Sequence, residues 1–161
     1  MPILTPMSAE SYARFLDTAI PGYAEHNIAA GRWPAEGALA RAQADYDKLL
    51  PQGLDTPDNY LFEIRDAHSD RVVGSLWVAL LDRSGVRSAY IYEVEIQAEE
   101  RRRGHAKRAF KALEPIARTW GAPSIGLHVF ANNAGAQALY ASLGYAVTGL
   151  NMQKPLDLEE S

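Results

Sequence analysis

Two neighbouring stretches of this chain hold residue types that do chemistry. Residues 96–106 pass from an alternating apolar run into a helical pattern through Arg101, Arg102, Arg103, Gly104, His105 and Ala106. A strand-to-helix junction of this kind exposes backbone N–H groups that the helix cannot satisfy internally. They point outward at the positive end of the helix dipole, which suits a phosphate or pyrophosphate. Gly104 and Ala106 keep side chains away where a ligand must approach the backbone, and the arginines add positive charge at the rim. A solvated helix start with surface arginines is the alternative reading. Just upstream, Glu93 and Glu95 lie two residues apart, roughly 7 Å along one strand face. Paired carboxylates can raise one another's pKa towards that of a general base, can hold a cation, or can simply face solvent.

Other phosphate-binding designs do not fit. The junction lacks the G-x-G-x-x-G spacing of a dinucleotide fold, and hairpin signals precede it in place of a βαβ unit. No Gly-Lys-Ser/Thr occurs, which excludes a Walker A loop.

The elements that must position these residues are legible from periodicity. Ser8 is placed to cap a helix carrying Tyr12, Phe15, Leu16 and Ala19, with a bend or break at Pro21 and Gly22. A second helix is expected from near Pro34 to Leu50. Strands follow at 59–65, 71–81 and 88–96, with turns at 67–70 and around Ser84 and Gly85. In the third strand, Tyr90, Tyr92, Val94 and Ile96 are expected on one face, and Ala89, Ile91, Glu93 and Glu95 on the other. A strongly amphipathic helix runs from Ala106 to Trp120, with Pro115 expected to kink or loosen it, and Gly121 closes it. A strand at 124–130, a short helix from Asn132 and Asn133 to Ser142, and closing strands at 145–148 and 150–155 complete the order. The fold class is α/β, a mixed sheet with helices on both faces.

Composition bounds the function. The chain has 161 residues and a net charge of −4, with 47% hydrophobic and 22% charged residues. One domain covering 1–161 is expected. A single run of three arginines does not support general nucleic-acid binding, which needs clustered positive charge. There is no cysteine, hence no disulfide, thiolate metal site or cysteine nucleophile. His26, His68, His105 and His128 show no ligand spacing, so no metal is expected. No apolar run approaches the ~20 residues needed to span a bilayer. A cytoplasmic protein without membrane contact is the expectation.

Arg101-x-x-Gly104-x-Ala106 resembles the Q/R-x-x-G-x-G/A signature of the GNAT superfamily of acyl-CoA-dependent N-acyltransferases. Asn132–Asn133, then Ala138–Leu139–Tyr140, then Leu143–Gly144–Tyr145 follow in that family's order. The resemblance is close over 90–152. It implies a GNAT-like fold whose central sheet splays, an acetyl-CoA-binding core over 88–152 and an acceptor-side helical region over 8–57. It implies that the backbone of Val94, Glu95 and Ile96 pairs with a pantetheine arm like an added strand. The N–H groups from Arg101 to Ala106 would hold the pyrophosphate. Asn133 would meet the lower pantetheine or help position the helix carrying Tyr140.

Tyr140 matches the position of the family's general acid, whose hydroxyl protonates the leaving thiolate. A tyrosine with a buried ring and a bonded hydroxyl is the structural alternative. For the base, Glu93, Glu95, His128 and a water chain all stand open. His128 qualifies because imidazole is the side-chain type that exchanges protons near neutrality, although some relatives carry a glutamate at its position. The implied reaction is direct transfer of an acetyl group to a primary amine through a tetrahedral intermediate. Backbone N–H groups of 94–96 would stabilise its oxyanion, with no covalent acyl-enzyme. A non-catalytic acyl-CoA-binding or sensing module, and a plain interaction domain, are the alternatives. The acceptor is expected to be a small-molecule or peptide amine, with acidic and aromatic groups at Tyr23, Glu25, His26, Trp33 and Glu36 suiting a cationic one. A homodimer is compatible with the resemblance.

Overall fold

The computed structural model describes residues 2–131 and 133–158. Its elements are β1 (Leu4–Pro6), α1 (Ala9–Ala29), α2 (Ala38–Leu49), β2 (Asn59–Arg65), β3 (Val72–Arg83), β4 (Val86–Ile96), α3 (His105–Thr119), β5 (Ile125–Leu127) and α4 (Ala134–Ser142). The five strands form one sheet in sequence order, antiparallel from β1 to β4, with β5 parallel to β4. A parallel return needs a crossover, and α3 supplies it. The mixed α/β expectation is met.

Ser8 caps α1, its Oγ accepting from Ser11 N at 3.1 Å. The helix then runs unbroken through Pro21 to Ala29, so the expected interruption does not occur. Pro21 is exposed, and Phe15, Ala19, Ile20 and Ala24 hold both halves of the helix against one core. That shared burial outweighs one lost backbone bond. Pro115 is likewise accommodated inside a continuous α3. α2 begins at Ala38, later than the expected start at Pro34, because Gly37 takes a left-handed backbone (φ 75°). β1 was not foreseen. It is three residues long and ends in Pro6, a residue tolerated on an edge strand because it need not donate to a ladder.

The sheet carries a core on each face. α3 packs Phe110, Leu113 and Ala117 against Ile64, Leu76, Val78, Ala89 and Ile91. α1 and α2 pack Phe15, Ala42 and Tyr46 against Leu61 and Trp77. Trp77 is fully buried, and its indole N–H donates to Asn59 Oδ1 at 2.8 Å. The hairpin turn between β3 and β4 falls at Ser84 (φ 56°) and Gly85 (φ 81°), successive left-handed residues that match the strand twist.

One feature of β4 overturns the expected faces. Trp77 pairs with Glu93, yet Val78 pairs with Ile91, which leaves Tyr92 as an extra, bulged residue. A bulge resets the two-residue alternation. Ala89, Ile91, Val94 and Ile96 therefore belong to the α3 side. Tyr92 stacks on Trp77 (4.6 Å between centroids), and Glu93 and Glu95 face α1. β5 pairs with β4 only as far as Ile91↔Leu127, just before the bulge. The expected strand at 124–130 is thus shorter, and β4 beyond Ile91 has no described strand on that edge. This opening is the splay of the sheet.

The expected closing strands at 145–148 and 150–155 do not form. Residues 145–158 follow α4 without regular structure, and Val147, Leu150 and Met152 are exposed. Apolar alternation yields a strand only where a neighbouring edge completes its hydrogen bonds. No described helix is long and apolar enough to cross a membrane.

Candidate active site

The strand-to-helix junction is built from a 3-10 turn (Ala98–Glu100) followed by two left-handed residues, Arg102 (φ 65°) and Gly104 (φ 79°). Among the described residues, no protein acceptor takes a backbone N–H from residues 102–107. The first helical bond is donated by Arg108 N to the Gly104 carbonyl at 3.1 Å. A run of orphan donors at a helix start forms an anion-binding nest. Gly104 is needed for its φ and for a second reason. A Cβ there would lie 2.9 Å from Arg108 Nη1, and Arg108 Nη2 donates to the Arg103 carbonyl at 2.7 Å.

The three arginines divide. Arg101 folds back, donating to Glu95 Oε1 at 2.8 Å and to the Ile96 carbonyl at 3.0 Å. Arg103 reaches Glu100 Oε2 at 3.5 Å. Arg102 has no ion-pair partner among the described residues and stands exposed beside the nest. His105 contributes its backbone to the nest, but its side chain is buried beneath it.

Below the nest lies a cluster that sequence reasoning missed. Glu100, only 6% exposed, accepts from Arg71 and lies 3.5 Å from both Arg103 Nη1 and His105 Nε2. His105 Nδ1 accepts from Arg108 Nη2 at 3.1 Å, which leaves the ring proton on Nε2, facing Glu100. Asp66 adds a second carboxylate 3.5 Å from Arg71, and the His68 N–H holds it below the usual range. Asp66, Glu100 and His105 are of metal-ligating type and within 4.8 Å of one another. The Arg71 guanidinium already stands between the two carboxylates and serves as their cation. Glu100→Ala is expected to lower stability by about 2 kcal/mol in urea titration, because it removes the buried carboxylate that accepts from Arg71 and faces Arg103 and His105. Glu100→Gln, which keeps an acceptor, should lose less than half of that.

On the other face of β4, a cleft of about 370 Å³ lies between α1 and the carboxylates of Glu93 and Glu95. Glu93 has no hydrogen-bond or ion-pair partner among the described residues. Burial first, and the neighbouring charge of Glu95 second, push its carboxyl up to about 8. Glu95 is differently placed: 44% exposed at the side chain and paired with Arg101. The two carboxylates that were equivalent on spacing are thus chemically distinct.

Tyr140, on α4, packs edge-on against Phe110 (5.4 Å). Burial raises its hydroxyl pKa, and the charge of Glu93 raises it further. Tyr140 packs against the α3-side core, whereas Glu93 lines the cleft on the α1 side. His128 lies past the end of β5, exposed, its ring edge-on to Phe130 at 4.9 Å, and does not line the cleft with Glu93. Asn133 caps α4, its Oδ1 accepting from Ala136 N at 3.2 Å, which positions the helix that carries Tyr140. Asn132 lies outside the described residues. Ser75, from β3, lines the cleft beside Glu95 and had no sequence signal, since only the β3–β4 register brings the pair together.

Comparison with known proteins gives the same assignment. The family model for the acetyltransferase (GNAT) family matches residues 24–145. The uncharacterized N-acetyltransferase YycN of Bacillus subtilis (strain 168) is 35% identical over 96% of this chain and 98% of its own length. The YycN crystal structure superposes with a TM-score of 0.88 over 95% of this chain and 97% of that one. A second B. subtilis protein, the uncharacterized N-acetyltransferase YdgE, is 31% identical over 95% of this chain and 97% of its own. A structure from Pyrococcus furiosus described as a "putative acetyl transferase" has a TM-score of 0.67 at 25% identity, covering 95% of this chain and 99% of that one. With the nest, the split sheet and these likenesses in agreement, the chain belongs to the GNAT family of acetyltransferases.

Proposed function

We propose that this protein transfers an acetyl group from acetyl-CoA to a primary amine by direct attack within a ternary complex. The observation that carries this reading is a meeting of two features at one strand end. The free N–H groups of residues 102–107 follow β4, and on the same strand Glu93, a carboxylate with no partner among the described residues, lines the α1 cleft.

The residues present fit the cosubstrate. The nest and Arg102 would hold a pyrophosphate, and the unpaired edge of β4 at Val94, Glu95 and Ile96 would accept an extended pantetheine arm. Acetyl-CoA supplies a reactive thioester. Glu93 accepts a proton from the amine, which frees the nitrogen lone pair for attack. As the C–N bond forms and the C–S bond breaks, the Tyr140 hydroxyl gives its proton to the departing thiolate. A raised tyrosine pKa keeps that proton in place at neutral pH. With no cysteine in the chain and Glu93 acting as base, no covalent acyl-enzyme is required.

Release of free CoA thiol from acetyl-CoA, followed over a panel of amines, tests the reading. Tight acetyl-CoA binding in calorimetry without amine-dependent release would identify a sensing module instead. Tyr140→Phe is expected to lower kcat by roughly 10²-fold while the acetyl-CoA Kd stays within about twofold. A collapse of affinity with unchanged turnover per bound enzyme would make Tyr140 a packing residue.

A further inference from the structure

The cleft between α1 and β4 has a charge pattern that says more about the acceptor. Its lining holds Asp17 and Glu25 from α1 and Glu93 and Glu95 from β4, against a single fixed cation, Arg101. That cation is committed to Glu95 at 2.8 Å. Asp17, Pro21 and Glu25 stand at i, i+4 and i+8 on one stripe of α1, so the two carboxylates are two turns, about 12 Å, apart. Neither has an ion-pair partner among the described residues. Arg14, the nearest basic residue on α1, is held by Glu10 at 3.1 Å and does not neutralise them. His26 is the remaining titratable group of the lining.

We infer that the acceptor is a small aliphatic diamine or polyamine, one amine meeting Glu93 and a second cationic group meeting Asp17 or Glu25 on the α1 wall. This rests on the acetyltransferase reading above. The apolar part of the lining, Phe15, Ala19, Pro21 and Gly22, suits an aliphatic linker between two charges. An acceptor bearing a carboxylate would meet only repulsion from this wall. The cleft volume of about 370 Å³ matches a small-molecule site.

The test is CoA release at saturating acetyl-CoA with diaminobutane, butylamine, aminobutyrate and a lysine-containing tripeptide as acceptors. Diaminobutane is expected to exceed butylamine by tenfold or more in kcat/KM at low salt, and aminobutyrate to be the poorest. The advantage should shrink as ionic strength rises, because Asp17 and Glu25 are solvent-exposed. In the Asp17→Asn, Glu25→Gln double variant the diamine-to-monoamine ratio should narrow about tenfold, and both exposed substitutions leave the core intact. A wild-type ratio near one, preference for aminobutyrate, or an unaltered ratio in the double variant overturns the inference while leaving acetyl transfer standing. Tenfold preference for the tripeptide overturns the small-molecule assignment. CoA release with no amine defeats the transferase reading itself. Calorimetry on the CoA-bound protein then decides: tighter binding of diaminobutane than of butylamine by tenfold supports the diamine site, and equal binding removes it.

Discussion

Glu93→Gln is expected to reduce kcat/KM for the amine by about 10²- to 10⁴-fold, the usual worth of a positioned general base. Glutamine matches the glutamate in size but cannot take a proton. The wild-type rate should climb with pH up to the Glu93 value of about 8 and then level off, since only the ionised carboxylate is a base. In the variant that climb should vanish. A variant that keeps kcat and loses only KM would show Glu93 to be a cation-binding group.

Stability should move the opposite way, and the direction follows from linkage. A carboxyl whose folded pKa is raised above its ordinary value of 4.5 binds its proton more tightly in the native state. Native stability is therefore highest below the unfolded pKa, and it declines as pH rises from about 4.5 towards about 8. Glu93→Gln removes that decline. Urea titration at pH 8 should find the variant more stable than wild type by roughly 2 kcal/mol, with the difference gone near pH 4. Equal stability at both pH values would mean that Glu93 titrates as an ordinary surface carboxylate.

The second large effect is structural. Gly74 of β3 pairs with Ile96 at the last rung of β4, and a Cβ placed on it would lie 2.2 Å from the Glu95 carbonyl oxygen and 3.0 Å from Ile96 Cδ1. The first of these is backbone, which cannot swing aside as a side chain does. Gly74→Ala must therefore separate β3 from β4 where β4 leads into the nest. A stability loss of about 2–4 kcal/mol is expected from such overpacking, read from the urea midpoint at unchanged m. Acetyl-CoA affinity should fall with it, because the nest is tethered to this strand end. Gly135→Ala in α4 is the matched control: nothing lies within 4 Å of its Cβ position, and alanine favours a helix by roughly 0.5–1 kcal/mol. A Gly74 variant as stable as the control would show that the two strands can part at this rung without loss.

Much of the backbone around the candidate site was legible because short-range interactions set it. The nest depends on a few consecutive residues: Gly104 in a left-handed turn, α3 starting at His105, and N–H groups with nothing behind them to accept. Ser8, Gly121 and Gly144 mark ends of helices for the same short-range reason. Two prolines misled only where packing intervened, as Pro21 shows: apolar burial on both sides of it carries α1 through.

What eluded the sequence involves distant partners. The bulge at Tyr92 exists only in register with β3, and it alone puts Glu93 and Glu95 on the α1 face while Ile91 stays on the α3 face. Glu100 carried no signal, since its partner Arg71 is 29 residues away in the β2–β3 hairpin. The closing strands failed to form because a strand is a property of a pair of edges, not of a segment.

By itself, then, the order of residues determined that an anion nest follows β4 and that carboxylates stand just before it, because helix starts and strand spacing are set within a few residues. Tertiary structure alone decided between those carboxylates. Glu95 meets Arg101 and partial exposure, whereas Glu93 meets burial and no partner. Desolvation is what turns one of two identical side chains into a group that holds its proton near neutrality, and desolvation is a property of the packed fold.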